Sequence, residues 1–155
     1  MYAGITLAIF LMLQIPDKPM TLNIEDFSCT IKLPIEKSNS MENTINEEEF
    51  ELLCKCVEAE AGDQGYLGKC YVVDCILNRC DAWNKTITEI IYQKHQFEVV
   101  SNNRINKVKV TDETRQAVRD ELRSRIRCDI LHFRMDYYHS FGIPVFSYKD
   151  HYFSK

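Results

Sequence analysis

The sequence has no excess of basic charge. Its formal net charge is −4, and no face rich in Lys and Arg is evident, so a nucleic-acid surface, which needs clustered cations, is excluded. It also lacks an apolar run of the ~20 residues that a helical membrane span requires. Residues 2–15 are almost uniformly apolar and have the length of a signal-peptide core. Met1-Tyr2-Ala3 nevertheless carries no Lys or Arg, and no small-x-small cleavage site precedes Pro16. Residues 1–15 are therefore read as an apolar N-terminal segment, either a signal peptide, a weak membrane anchor or a buried helix. Paired Cys-x-x-Cys spacing is missing as well, the cysteines standing at 29, 54, 56, 70, 75, 80 and 128. Cys54-x-Cys56 sends its thiols to different helix faces, so no metal site or cofactor is expected, and cysteines at apolar helical positions should behave as small buried hydrophobes.

What is present fits one modest domain behind an extension. Residues 16–45 turn to Pro, Asp, Lys, Ser and Asn with scattered Leu and Ile, the composition of a linker. Residues 46–155 hold the domain. Asn46 can cap a helix that opens with Glu47, Glu48 and Glu49, where negative charge meets exposed N–H groups, and Asn46 with Glu49 resembles a capping box. Phe50, Leu53, Cys54, Val57 and Ala61 recur at helical spacing and define one inward face, leaving Glu51 and Glu58 on the flank away from it.

Glu60 lies on the edge of that stripe, in the last turn before Gly62-Asp63-Gln64-Gly65 breaks the pattern. A carboxylate half-buried against apolar neighbours resists ionisation and can donate a proton near neutral pH, the property of a general acid. Its other reading is an ordinary helical carboxylate paired with Lys55 or Lys69.

Residues 66–80 are apolar over much of the circumference through Leu67, Cys70, Tyr71, Val72, Val73, Ile76 and Leu77, which predicts the central helix of the fold. Asn78 and Arg79 at its end are either caps and salt-bridge partners or ties between substrate-lining segments. Thr86-x-x-Glu89 is a capping box that starts a short helix, followed by a loop over residues 92–97. Residues 99–110 are polar and basic and read as a surface loop. Thr111 or Asp112 starts a third long helix, with Ala117, Val118, Glu121, Leu122 and Ile126 on one buried face. Residues 130–138 and 143–148 read as two short strands of a hairpin, the second delivering His151 and Phe153.

Four blocks of this sequence, in order, resemble the cell wall hydrolase family of SleB/CwlJ-like spore-cortex-lytic proteins. Val57, Ala59, Glu60, Ala61, Tyr66, Gly68, Leu77, Asn78 and Arg79 match its first motif without gaps; Ile91-Tyr92-Gln93-Lys94-His95-Gln96-Phe97, Leu131-His132-Phe133 and Asp150-His151-Tyr152-Phe153 match the later ones. One departure is Gln64, which stands where the family usually carries a second acid. The resemblance implies an α+β, mostly helical, lysozyme-like catalytic domain with a small antiparallel β-hairpin or sheet. It further implies a secreted or envelope-bound monomer whose partner is the glycan strand of peptidoglycan. Glu60 is the implied catalytic acid, and Tyr66, Tyr92, Gln96, Phe97 and His151 are expected to line the groove, aromatic faces against sugar rings and Gln96 against an N-acetyl group. Most glycosidases use two carboxylates. No second acid stands out, Asp63 being close in sequence and Asp74 lying within the central helix, so a one-carboxylate lytic transglycosylase is the simplest expectation, with a water-using muramidase or glucosaminidase, or a non-catalytic glycan-binding protein, as the alternatives.

Overall fold

The computed structural model describes residues 45–155. The expected apolar segment at residues 1–15 and the linker at residues 16–45, Ile45 excepted, lie outside the described residues. Among the described residues, five α-helices precede a three-stranded antiparallel sheet. Among the described residues no helix is long and apolar enough to cross a membrane.

Helix α1, Glu47–Ala61, begins where the Asn46 side chain accepts the Glu49 N–H at 2.8 Å, with three glutamates against the positive end of the helix dipole. The reciprocal half of the expected capping box is absent. Glu49 instead accepts a bond from the Thr88 hydroxyl at 3.3 Å, tying α1 to α3, Ile87–Ile91. The predicted stripe is buried, and so are Cys56 and Ala59, because α4, Glu98–Ser101, and a 3-10 turn, Arg104–Asn106, cover a second side of α1. These two turns occupy part of the stretch expected to be a surface loop; Val99 and Ile105 anchor them in the core. Glu51 and Glu58, expected to face away, both engage α5, Asp112–Arg123. Arg115 grips Glu51 with two bonds, and the Glu58 carboxylate accepts the Thr111 N–H at 2.9 Å and the Thr114 hydroxyl at 2.5 Å.

Helix α2, Gly65–Trp83, is central, flanked by α1, α3 and α5, and buried over most of its circumference. Leu53, Ile76, Leu77, Ile90 and Ile91 are completely enclosed, each burial stabilising the fold by roughly 1.5–3 kcal/mol. Truncating Ile76 to Ala would cost about 2–5 kcal/mol. Gly68 allows α2 to approach the sheet: a Cβ there would meet the Gln64 Cβ at 2.5 Å and the Tyr148 ring at 3.4 Å. Helix α5 starts at Thr111 and buries Ala117, Val118, Glu121 and Leu122 as the spacing predicts, but it stops at Arg123, which leaves Ile126 beyond its end and exposed.

The sheet departs from the expected hairpin. Strands β1, His132–Met135, and β2, Pro144–Tyr148, do not pair with each other; β3, His151–Ser154, lies between them, giving the order β1-β3-β2. The reason is burial. Strand β3 carries Phe153, stacked on Phe146 at 4.8 Å and edge-on to Tyr71 at 5.5 Å, so this strand belongs in the middle, where both edges are paired and its side chains are covered.

Candidate active site

Helix α1 ends beside the sheet, and the angle between them opens a cleft of about 450 Å³. Glu60 enters it from the last turn of α1, Arg79 from α2, Gln96 from the segment joining α3 to α4, Glu98 from the start of α4, Phe133 from β1 and His151 from the start of β3. All four histidines of the chain, His95, His132, His139 and His151, line this one cleft. Its outer wall is the excursion after β1, with Asp136, Tyr137 and Phe141.

Three buried polar atoms in the cleft have no hydrogen-bond partner: Glu60 Oε1, Arg79 Nη1 and His151 Nδ1. Buried polar groups are normally satisfied, so such a concentration marks a place where a polar ligand completes the set. Burial pushes the Glu60 pKa up, against the opposing pull of the Arg104 guanidinium and of the Val99 N–H at the start of α4, while the Glu98 charge adds to the rise. The carboxyl therefore holds its proton to higher pH than an exposed glutamate, yet has cations near enough to stabilise the charge once the proton leaves. Burial lowers the His151 pKa, which makes the imidazole neutral at pH 7. Arg79 is fixed by its Nε–H bond to the Leu131 carbonyl, with the Phe97 and Trp83 rings 5.5 and 5.8 Å from its guanidinium carbon. Asn78 donates to the Ile130 carbonyl at 2.8 Å and the Arg127 carbonyl at 3.0 Å. These two residues therefore tie α2 to the chain that enters β1 rather than capping the helix.

The cell wall hydrolase family profile matches residues 63–153, more than half of the chain. This chain belongs to the cell wall hydrolase family. No curated protein matches it. Two solved structures share its fold. One is the catalytic domain of the germination-specific lytic transglycosylase SleB from Bacillus anthracis, with a TM-score of 0.63 at 19% identity over 73% of this chain and 98% of that one. The other is the catalytic domain of the Bacillus cereus SleB protein, with a TM-score of 0.63 at 20% identity over 79% of this chain and all of that one. The mostly helical α+β architecture is thus that of the SleB catalytic domains.

In this cell wall hydrolase Glu60, Gln96 and His151 meet in the cleft, while three other residues expected there stand elsewhere. Tyr66 is on the opposite side of α2, its hydroxyl donating to Asp120 of α5 at 2.6 Å. Tyr92 caps α3 in solvent, outside the cleft lining. Phe97 is buried behind the wall, 6.3 Å from Phe133. Neither candidate second acid lines the cleft. The Gln64 bond to Asp63 at 2.9 Å lowers the Asp63 pKa and holds the side chain at the α1–α2 turn. Asp74 is enclosed between α2 and α5. Gln64 itself is buried; its amide nitrogen reaches Asp150 Oδ2 at 3.2 Å and its amide oxygen accepts the Asp150 N–H at 3.3 Å. That clamp, joining the α1–α2 turn to the β2–β3 turn, needs a donor and an acceptor on one side chain, which an ionised glutamate does not offer. The carboxylates that line the cleft besides Glu60 are Glu98 and Asp136, which sequence reasoning passed over. The signal available for Glu98 was its place directly after the motif ending in Phe97; Asp136 carried none.

Proposed function

We propose that this cell wall hydrolase cleaves the glycan strands of peptidoglycan as a lytic transglycosylase, in the cell envelope or spore cortex, with Glu60 as its acid and base. The observation that carries the reading is the set of unpartnered Glu60 Oε1, Arg79 Nη1 and His151 Nδ1 atoms in one cleft. Protonated Glu60 donates to the glycosidic oxygen as the bond from that oxygen to the muramic C1 breaks. The resulting carboxylate then takes the proton of the muramic C6 hydroxyl as its oxygen bonds to C1, closing an anhydro ring without consuming water. Arg79 and Arg104 stabilise the carboxylate between the two transfers. Gln96 and the neutral His151 supply hydrogen bonds that hold the sugars in register.

The second reading is hydrolysis, favoured by the Glu98 and Asp136 carboxylates on the same cleft, either of which could activate water. Digestion of purified peptidoglycan followed by mass spectrometry decides between them. The transglycosylase reading expects anhydro-muramic ends, lighter by one water than hydrolytic products. Reducing ends carrying the added water would establish hydrolysis, and folded protein that releases nothing would overturn cleavage altogether.

A further inference from the structure

The excursion that forms the outer wall of the cleft, residues 136–143, carries two large aromatic rings that line the cleft. Tyr137 is 53% exposed and Phe141 55% exposed, and both line the cleft. Each ring is braced by a polar group. The Arg134 guanidinium lies over the Tyr137 ring, 3.8 Å from its centre, and also bonds the Tyr137 hydroxyl. His139 stacks on Phe141 at 4.6 Å and 24°, and His132 meets Phe141 edge-on at 5.2 Å.

The backbone beneath the rings is pinned. Asp136 has a left-handed φ of 68° and donates its N–H to the Asp150 carbonyl at 3.0 Å. Ile143 and Lys155 exchange backbone bonds at 3.1 and 2.9 Å, and His139 bonds the Phe133 carbonyl at 3.1 Å. Gly142, at φ 80°, sits where a Cβ would lie 2.4 Å from the Lys155 carbonyl oxygen, so the turn admits no other residue without moving the strand end. Rings held this way lose little conformational freedom when a ligand arrives.

Resting on the cleavage reading, we infer that Tyr137 and Phe141 form a sugar-binding platform that stacks on the C–H faces of N-acetylhexosamine rings in the substrate strand. A pyranose presents flat apolar faces bordered by hydroxyls and amides. This wall presents the complement, two rings on the cleft, each backed on one face by Arg134 or His139, with Asp136 beside them. A protein-docking patch would call for a wider uninterrupted apolar surface.

The test uses the full chain carrying Glu60→Gln, which prevents turnover, and measures calorimetric binding of N-acetylglucosamine oligomers and of soluble peptidoglycan strands. Tyr137→Ala and Phe141→Ala, added singly, should each weaken binding by about tenfold, while Tyr137→Phe, which keeps the ring, should bind within about twofold of its parent. In the chain with Glu60 restored, the two alanine variants should raise KM for peptidoglycan by about the same factor and leave kcat within about twofold. Because both side chains are exposed, the melting temperature should hold and loss of fold should not intervene. Unaltered affinity and KM in both alanine variants, or no saturable binding of either ligand to the Glu60→Gln chain, overturns the platform. A platform lost in that way while the wild type still releases muropeptides leaves the cleavage reading standing; ring-dependent binding by a chain that cleaves nothing does the reverse.

Discussion

Two buried carboxyl groups lie on opposite sides of α2, and they teach different things. Glu60 and Asp74 are both pushed toward the protonated form by burial. Asp74 is closed in: its Oδ2 accepts the Arg127 N–H at 2.8 Å, and Glu121, itself buried, lies beside it and adds to the rise of its pKa. Enclosed beside Glu121 and away from the cleft, Asp74 works as a bolt between α2 and the chain that leaves α5. Each keeps one carboxyl oxygen without a hydrogen-bond partner, Asp74 Oδ1 and Glu60 Oε1, but of the two Glu60 alone faces the cleft, with Arg79 and Arg104 beside it. Burial raises both pKa values; access to the cleft and nearby cations set Glu60 apart.

The comparison breaks most visibly in turnover. Glu60→Gln should lower the rate of muropeptide release from purified peptidoglycan by about 10²–10⁴-fold, whereas Asp74→Asn should stay within about twofold of wild type. Equal losses in the two variants would erase the distinction. Next in size is stability, read from urea unfolding. Asp74→Ala strips the Arg127 N–H and Glu121 of their partner and should cost about 2–4 kcal/mol, while the near-isosteric Asp74→Asn should cost about 1 kcal/mol. Glu60→Gln, which relieves a buried charge, should leave the unfolding midpoint unchanged or higher.

The pH dependence of stability sharpens the contrast further. A carboxyl whose folded pKa is raised binds more protons folded than unfolded, so its stabilising effect is complete below the ordinary carboxylate range and is lost as pH climbs through the raised value. Asp74→Asn should therefore flatten the decline in stability above that range, seen as melting temperature against pH, and a curve parallel to wild type would remove Asp74 as its source. The smallest effect concerns the alkaline limb of kcat/KM. The Glu98 charge raises the Glu60 pKa, so Glu98→Gln should move that limb to lower pH by less than about one unit. If Glu98→Gln instead abolishes turnover, Glu98 acts on water and the hydrolytic mechanism takes precedence.

Much of the helical framework was legible in the sequence because its determinants are local. Asn46, Thr86 and Thr111 each cap the helix that the apolar spacing predicts, and the position of Glu60 at the edge of a stripe follows from a 3.6-residue period. Tyr66 shows where that logic stops. Helix α2 is apolar nearly all round, so periodicity does not say which side faces the cleft, and only the packing of α5 turns Tyr66 toward Asp120. The strand order was equally hidden, since β3 wins the middle place through the distant contacts of Phe153 with Phe146 and Tyr71. The outer wall with Asp136, Tyr137 and Phe141 owes its place in the cleft to that order.

The central place of β3 also sets a sequence of events in time. A ribosome delivers residues in numerical order, and neither β1 nor β2 has an edge partner until residues 151–154 emerge to lie between them. The helices, with their nearer contacts, are free to assemble first. His151 arrives on the same strand that zips the sheet together, so the wall of the cleft and one of its unpartnered polar groups come into being in a single late step. A chain that has reached Lys149 holds Glu60 on its helix with Arg79 and Gln96 nearby, and the cleft still lacks His151 and the strand that pairs with β1 and β2.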